Sequence, residues 1–356
     1  MIDKIKLLGR ELKKRKCDYY LISTFDEYQN EYAPLRNMRL KWLTGFSGSN
    51  GIALISEDKK YFFTDGRYLL QAKKEIDKAF KIIDLGSTSF FSFIRTKINK
   101  KKILLDFKIF NIKFIKNLMN TNSKNSLQII NDKQNSIDKI WKERPLGKKK
   151  KFFIINSQIS GCNIIEKKKK IIENNKNSIF IITSSESVCW LLNIRGYDLD
   201  HTPVVFSKAI IFKSKIKFFV DLQKIPKKKF KIRGVDIINI EEFDNEIIKL
   251  SKDKNIFLDK MAPYNFYDLM LQNNLKPDLI DDPCKNLKSK KNKAEIKASK
   301  AAHIEDGLSL VKFFCWLTKQ KFNSKFTEYL VAKKLEDYRK NSKLFFSLSF
   351  PTISAS

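Results

Sequence analysis

WLTGFSGSNGIALISEDKKYFFTDGRYLLQA, residues 42–72, reads as turn, strand, turn, strand, helix. Gly45, Gly48 and Gly51 surround the polar residues Ser47, Ser49 and Asn50. Glycine is favoured where the backbone takes a positive φ or passes close to another segment. Ile52–Ile55 is a short apolar run suited to a buried strand, Glu57-Asp58-Lys59 a hairpin turn, and Tyr61–Thr64 the return strand. Asp65-Gly66 closes the hairpin, and Arg67–Lys74 continues at helical spacing. A glycine-rich loop can also cradle phosphate, but that chemistry wants the glycines between a strand and a helix. Here they precede a strand at GxxGxxG spacing, so a tight structural corner fits better.

Outward from this stretch the chain alternates helical and strand segments, as α/β domains do. Residues 1–16 form a charged amphipathic helix. Asp18–Ser23 is a strand running into the polar loop Thr24–Glu27, and residues 32–39 form a loop leading to Trp42. Beyond the hairpin come a strand at Ile103–Asp106, a helix around Asn111–Asn120 and a strand at Leu127–Ile130. Ile137–Trp141 and Arg144-Pro145-Leu146-Gly147 with four lysines then mark a linker. The plan repeats: helix at Ile165–Asn174, strand at Ile179–Thr183, polar loop at Ser184–Ser187. Trp190–Gly196 parallels Trp42–Gly45, while Ala209–Phe212 and Phe218–Asp221 match Ile52–Ile55 and Tyr61–Asp65. The same features in the same order argue for two similar α/β domains made by duplication.

A third segment begins near Asn292, which with Glu295 forms a capping-box pattern. The helix behind it carries Ile304, Leu308, Val311 and Cys315 on one face, with Leu310, Phe314 and Leu317 beside it. Phe326-Thr327-Glu328 starts a second helix through Tyr338, and Leu348–Ser356 closes the sequence. Two helices and a strand bury little surface by themselves, so the ending reads as an interruption. The expected domains are 1–145, 146–290 and 291–356.

WLTGFSGSNG followed by TDGRYLLQA resembles the amino-terminal domain of the Xaa-Pro aminopeptidases, metallopeptidases of the creatinase and prolidase superfamily. Ser136–Pro145 resembles that family's first domain junction, and Val188–Gly196 with His201-Thr202-Pro203-Val204 its second-domain signature. Ala301–Gly307 resembles the start of the catalytic domain, and Thr327-Glu328 with Leu348–Ser354 the run before the active site. The likeness covers essentially the whole chain and is nearest to the long, three-domain form. It implies an α/β fold class: two creatinase-N-type domains in tandem, followed by the first helices of an incomplete α+β pita-bread domain. The implied reaction is hydrolysis of the bond between an amino-terminal residue and a following proline. Two metal ions, usually manganese, serve it in the complete family protein, which is expected to be a homodimer. The family's ligands, two aspartates, a histidine and two glutamates, fall beyond the point where this sequence ends.

The resemblance assigns one residue here. The arginine of its Asp-Gly-Arg-Tyr motif contacts substrate, and that position is Arg67. A guanidinium suits a carboxylate or a peptide carbonyl because it offers a planar fork of donors. An ion pair with Asp65 at the helix start is the structural alternative. No catalytic residue and no metal ligand is expected in these 356 residues, and the chain alone is expected to be inactive. His201 and His303 are expected in structural roles, and Asp65 and Asp221 as holders of turn backbone. No HExxH motif and no paired carboxylates beside a histidine are visible.

Composition bounds the alternatives. Hydrophobic residues at 42% and charged residues at 31% are those of a globular protein. No apolar run approaches a membrane span, and MIDKIKLLGRELKKRK lacks the apolar core of a secretory signal. Cys17, Cys162, Cys189, Cys284 and Cys315 are odd in number and show no CxxC spacing, which fits a reducing cytoplasm. The net charge of +32 invites a nucleic-acid reading, but only ten of the 71 basic residues are arginine. The lysines are scattered, with runs at Lys148–Lys151, Lys167–Lys170 and Lys227–Lys229. Nucleic-acid readers concentrate arginine and exposed aromatics on one face, so neither a specific nucleic acid nor a membrane is an expected partner. Three functions stay open: the amino-terminal part of a cytosolic Xaa-Pro aminopeptidase, a scaffold that keeps the two α/β domains, and a polyanion binder.

Overall fold

The structure, a computed structural model, describes the chain apart from residues 1, 122–126, 174, 176, 227–230, 322–325 and 355–356. The Lys227–Lys229 run, the helix end at Asn174 and the final Ala355 and Ser356 therefore lie outside the described residues.

The first half runs α1 (Ile2–Lys14), β1 (Tyr19–Ser23), α2 (Arg39–Thr44), β2 (Ile52–Ile55), β3 (Lys60–Thr64) and α3 (Leu69–Glu75). It continues through β4 (Lys81–Asp84), α4 (Phe90–Lys97), β5 (Lys102–Leu105), α5 (Ile112–Asn120), β6 (Gln128–Asn131) and α6 (Ser136–Ile140). The sheet order is β4-β3-β2-β1-β5-β6. β2 is antiparallel to both neighbours, and the other pairs are parallel. The second half begins with β7 (Phe153–Ile154), α7 (Ser157–Ser160), α8 (Ile164–Ile172), β8 (Ser178–Ile182), α9 (Ser185–Leu191) and β9 (Ile194–Arg195). There follow β10 (Ser207–Ile211), β11 (Ile216–Val220), β12 (Val235–Asn239), α10 (Phe243–Ile248), β13 (Asn255–Asp259), α11 (Tyr264–Gln272), β14 (Asp278–Ile280) and α12 (Pro283–Ser289). Its main sheet has the order β12-β11-β10-β8-β13-β14, with β7 and β9 forming a separate ribbon. Strand for strand, order and direction repeat those of the first sheet, which is the duplication read from the sequence.

Side chains alternate across each strand, so each sheet feeds two cores. In β1, Tyr20 and Ile22 pack with Leu8 and Leu12 of α1 and Leu40 and Leu43 of α2. Tyr19 and Leu21 face the other way, into a core that also holds Ile181, Ile210, Phe219 and Leu258 of the second sheet. The two domains thus share apolar packing. Their joint is reciprocal: Ile112 N donates to Ala262 O (2.9 Å) and Tyr264 N to Phe110 O (2.8 Å), with Asn111 bridged antiparallel to Pro263. Asn111 and Pro263 stand immediately before α5 and α11, so equivalent positions of the two copies meet.

Several local expectations change. Trp42 lies in α2, a helix too short for its periodicity to show, rather than in a turn. Ile137 belongs to α6, not to a linker; Asn135 Oδ1 caps that helix by accepting from Ile137 N and Asp138 N, both at 3.1 Å. Ser184 opens α9 as its N-cap instead of lying in a loop. Gly45, three residues after Trp42, takes φ 84°, and Asn193, three after Trp190, takes φ 49°. Asn193, which tolerates the left-handed region, therefore holds the place expected of Gly196. Gly196 instead passes close to Val205, whose backbone N would lie 2.7 Å from an added Cβ.

After the second sheet, α13 (Lys293–Leu317) starts at the expected capping box of Asn292 and Glu295. Thr327 caps α14 (Glu328–Lys340), and Arg339 forks onto Asp306 to join the two helices. The expected core face of α13 is open: Ile304 is 73% exposed and Val311 60%, while Ser309 and Phe313 are buried. Residues 348–354 form no strand.

Candidate functional site

The glycine corner builds a rigid support for Arg67. Gly45 ends α2 in the left-handed conformation, its N–H donating to Lys41 O (2.8 Å). The other two glycines answer to space. A Cβ on Gly48 would stand 2.8 Å from the Tyr68 ring, and one on Gly51 2.7 Å from Phe62 and 3.0 Å from Phe46. The corner is fastened to the end of the hairpin: Thr64 Oγ1 donates to Asn50 O (2.6 Å), and Asn50 Nδ2 to Asp65 Oδ2 (2.7 Å). Ser49 and Tyr68 join through their hydroxyls at 2.8 Å.

Asp65 then organises the turn into α3. It accepts the backbone N–H of Arg67 and is forked by the Arg67 guanidinium, Nε to Oδ1 at 3.0 Å and Nη2 to Oδ2 at 2.9 Å. The Arg67 hydrogen bonds, aided by Asn50, hold the Asp65 carboxyl well below the usual carboxylate range. The fork engages two of the five N–H donors a guanidinium carries. The Arg67 side chain is 71% exposed, with its guanidinium 5.2 Å from the Tyr68 ring centre. Tyr68 also lines a cavity of about 230 Å³, with Tyr32, Ser47, Gly48, Ser49 and Gln71. The structural alternative for Arg67, the ion pair with Asp65, is therefore present, and it presents the cation at the surface.

The duplicate copy separates the two roles. Asp221 caps its own short turn in the same way, accepting from Gln223 N at 2.9 Å. Phe63 and Phe219 pair with Ile52 and Lys208 in matching registers, so Asp65 corresponds to Asp221 and Arg67 to Gln223. The cap occurs in both halves, and the arginine only in the first.

His201 Nδ1 donates to Leu348 O (3.2 Å) and its ring meets Tyr32 edge-on, whereas His303 Nδ1 donates to Ser299 O within α13 (2.8 Å). His201 lines the cleft between the two domains and His303 a different hollow, beside residues 344–350. Among the described residues, no three His, Cys, Asp or Glu side chains are grouped to hold a metal ion, so these residues do not fit the di-metal centre the resemblance implies. A cleft between the two domains was not foreseen. Its signal in the sequence was Lys208, a lysine inside the apolar strand pattern SKAII.

Models of the creatinase/prolidase N-terminal domain match residues 4–137 and again residues 143–295. The probable Xaa-Pro aminopeptidase P of Coprinopsis cinerea is 30% identical over 97% of this chain and 60% of its own length. Xaa-Pro aminopeptidase 1 of Dictyostelium discoideum is 29% identical over 99% of this chain and 59% of its own. The chain thus spans about 60% of the length of the curated relatives it matches. The X-prolyl aminopeptidase of Caenorhabditis elegans, described as a cytosolic enzyme with a di-nuclear active site, superposes with a TM-score of 0.93 at 24% identity. That superposition covers 99% of this chain and 62% of the other, and it shows the same fold.

Proposed function

Because the chain belongs to the creatinase/prolidase family, with two copies of its N-terminal domain in tandem, we propose that it is the N-terminal part of a metal-dependent Xaa-Pro aminopeptidase. Such an enzyme releases the first residue of peptides that have proline second. Arg67 is the substrate contact this portion supplies. The observation that carries this role is the comparison of copies: the Asp cap is kept in both, but only the first presents an exposed, oriented guanidinium. What one copy does without, the fold does not require. Held by Asp65, Arg67 keeps donors for a peptide carbonyl or carboxylate at little ordering cost.

Two divalent ions, with manganese as the expected metal, are assigned to sequence outside these 356 residues, as is the remainder of the pita-bread domain begun at residue 291. The described residues offer no group to hold them, and the Caenorhabditis relative's di-nuclear centre supports the assignment. A cytoplasmic location is supported by five free cysteines and by that relative's cytosolic description, and a homodimer is the proposed assembly. No helix among the described residues is long and apolar enough to cross a membrane.

Two measurements test the proposal. The purified 356-residue chain with added manganese should release no residue from an Xaa-Pro peptide; turnover would overturn the assignment of the catalytic groups. In the protein extended by the peptidase portion, Arg67→Ala should lower kcat/KM about 10- to 100-fold, the worth of one charged hydrogen bond. Its melting should hardly change, because exposed ion pairs add little stability. An unaltered kcat/KM would return Arg67 to a purely structural part.

A further inference from the structure

The cleft between the two domains encloses about 890 Å³, within the range of small-molecule sites of roughly 300–1,000 Å³. Tyr28 and Lys108 line it from the first half, and Phe206, Lys208, Phe243 and Phe266 from the second. Lys208 sits on β10 and is only 9% exposed. Its Nζ lies 4.9 Å from the Tyr28 ring centre and 5.3 Å from those of Phe243 and Phe266. Tyr28 in turn stacks on Phe206 at 4.2 Å.

Two other buried lysines have oxygen partners. Lys167 donates to Trp190 O and to Asn193, and Lys224 pairs with Asp198 at 2.7 Å. Among the described residues Lys208 has neither an ion pair nor a hydrogen bond from its ammonium. Attraction to the rings offsets only part of the cost of taking an ammonium out of water. Burial pushes its pKa down to about 8, so it still carries its proton at neutral pH. Nor does the sheet need a cation there, since the matching register position in the first copy is Ile52. A lysine nine-tenths buried, without a hydrogen-bonding or ionic partner, lining a cavity and dispensable to the fold, has the form of a ligand counter-ion.

We propose that the cleft binds an apolar molecule carrying one carboxylate, with Lys208 as its counter-ion and the Tyr28, Phe206, Phe243 and Phe266 rings against its apolar part. A single charge is favoured because the charges that act on Lys208 are Asp244, Glu27 and Asp26 against one cation, Lys108, and they would repel a second carboxylate there. A small organic acid and the carboxyl end of a short peptide share this chemistry.

Calorimetric titration of the 356-residue chain distinguishes them, using hippurate against hippuramide and Ala-Phe against Ala-Phe amide. At pH 6.5 the carboxylate of at least one pair should bind about tenfold more tightly than its amide, as a charge-assisted contact predicts. The pair that shows it identifies the source. Lys208→Met should bring the two forms within about twofold, since methionine keeps the volume and removes the charge. No preference in either pair, or a preference that survives Lys208→Met, overturns the proposal. Should that variant not fold, the unaltered chain still decides: the preference should fade as pH rises through about 8. A preference unchanged between pH 6.5 and pH 9.5 (roughly 1.5 units either side of that value) also overturns it. Asp244, Glu27, Asp26 and Lys108 face Lys208, and the methionine variant keeps all four as a control for their titration.

Discussion

Replacing Arg39 with methionine should cost the first domain about 3 kcal/mol. Arg39 is 2% exposed and forks onto Asp138 at 2.7 and 2.8 Å while reaching Glu27 at 2.5 Å. Breaking a buried pair by removing one partner costs about 3–5 kcal/mol. Two details favour the lower figure. Asp138 keeps Arg144, at 2.5 Å, and Arg39 Nη1 and Glu27 Oε2 already lack hydrogen-bond partners in the folded chain. At about 2–4 °C per kcal/mol for a unit of about the size of the first domain, its melting temperature should fall by about 6–12 °C. The loss should also depend on pH. Burial pushes the Glu27 carboxyl up, but Arg39 pulls it back further, to a folded value below the ordinary 4.5. The stabilisation it gives is therefore present above pH 4.5 and lost as pH falls through the folded value. In the variant, burial without Arg39 raises that carboxyl, so proton uptake relieves the strain there. The gap between the two proteins should narrow on going from pH 7 to pH 4 in parallel urea titrations. A gap under about 1 kcal/mol, or one of constant size across that range, would refute the reasoning.

Three further outcomes are expected. Gly51→Ala should destabilise by about 1–3 kcal/mol in urea, because the added Cβ meets the buried rings of Phe62 and Phe46; an unchanged midpoint would mean that the corner has room to relax. Asn292→Ala should cost about 1 kcal/mol and speed amide exchange in the first turn of α13, whose capping box it removes. Residues 292–356 prepared alone should exchange their amides quickly, since Ile304, Val311 and Phe314 are all more than half exposed; strong protection would show that the two helices fold unaided.

The hairpin and its repeat were legible because their signals are local. Ile52–Ile55 and Tyr61–Thr64 are apolar runs broken by turn residues, and the copy read at Ala209–Phe212 falls one residue earlier in register, at Lys208–Ile211. Two of the edge strands were not, although a third, β6, was read at Leu127–Ile130. Lys81–Asp84 and Asp278–Ile280 are short and half-buried, so neither alternation nor apolar content marks them. Pairing with β3 and β13 makes them strands, and that is a tertiary fact. At the candidate site, the motif named Arg67 and even its ionic partner, but not its exposure, which depends on how the corner folds beneath it. Lys208 escaped notice because a lysine beside Ser207 looks like an ordinary surface residue until Tyr28 of the first domain closes over it.

The reciprocal bonds between Ile112 and Ala262 and between Tyr264 and Phe110 have the form of a contact between two copies of one subunit. In such a pair any substitution appears twice, once on each side of the seam. Joined in a single polypeptide, the halves escape that obligation. One can carry a surface arginine and the other a buried lysine, so an ancestral symmetry has been turned into a division of labour.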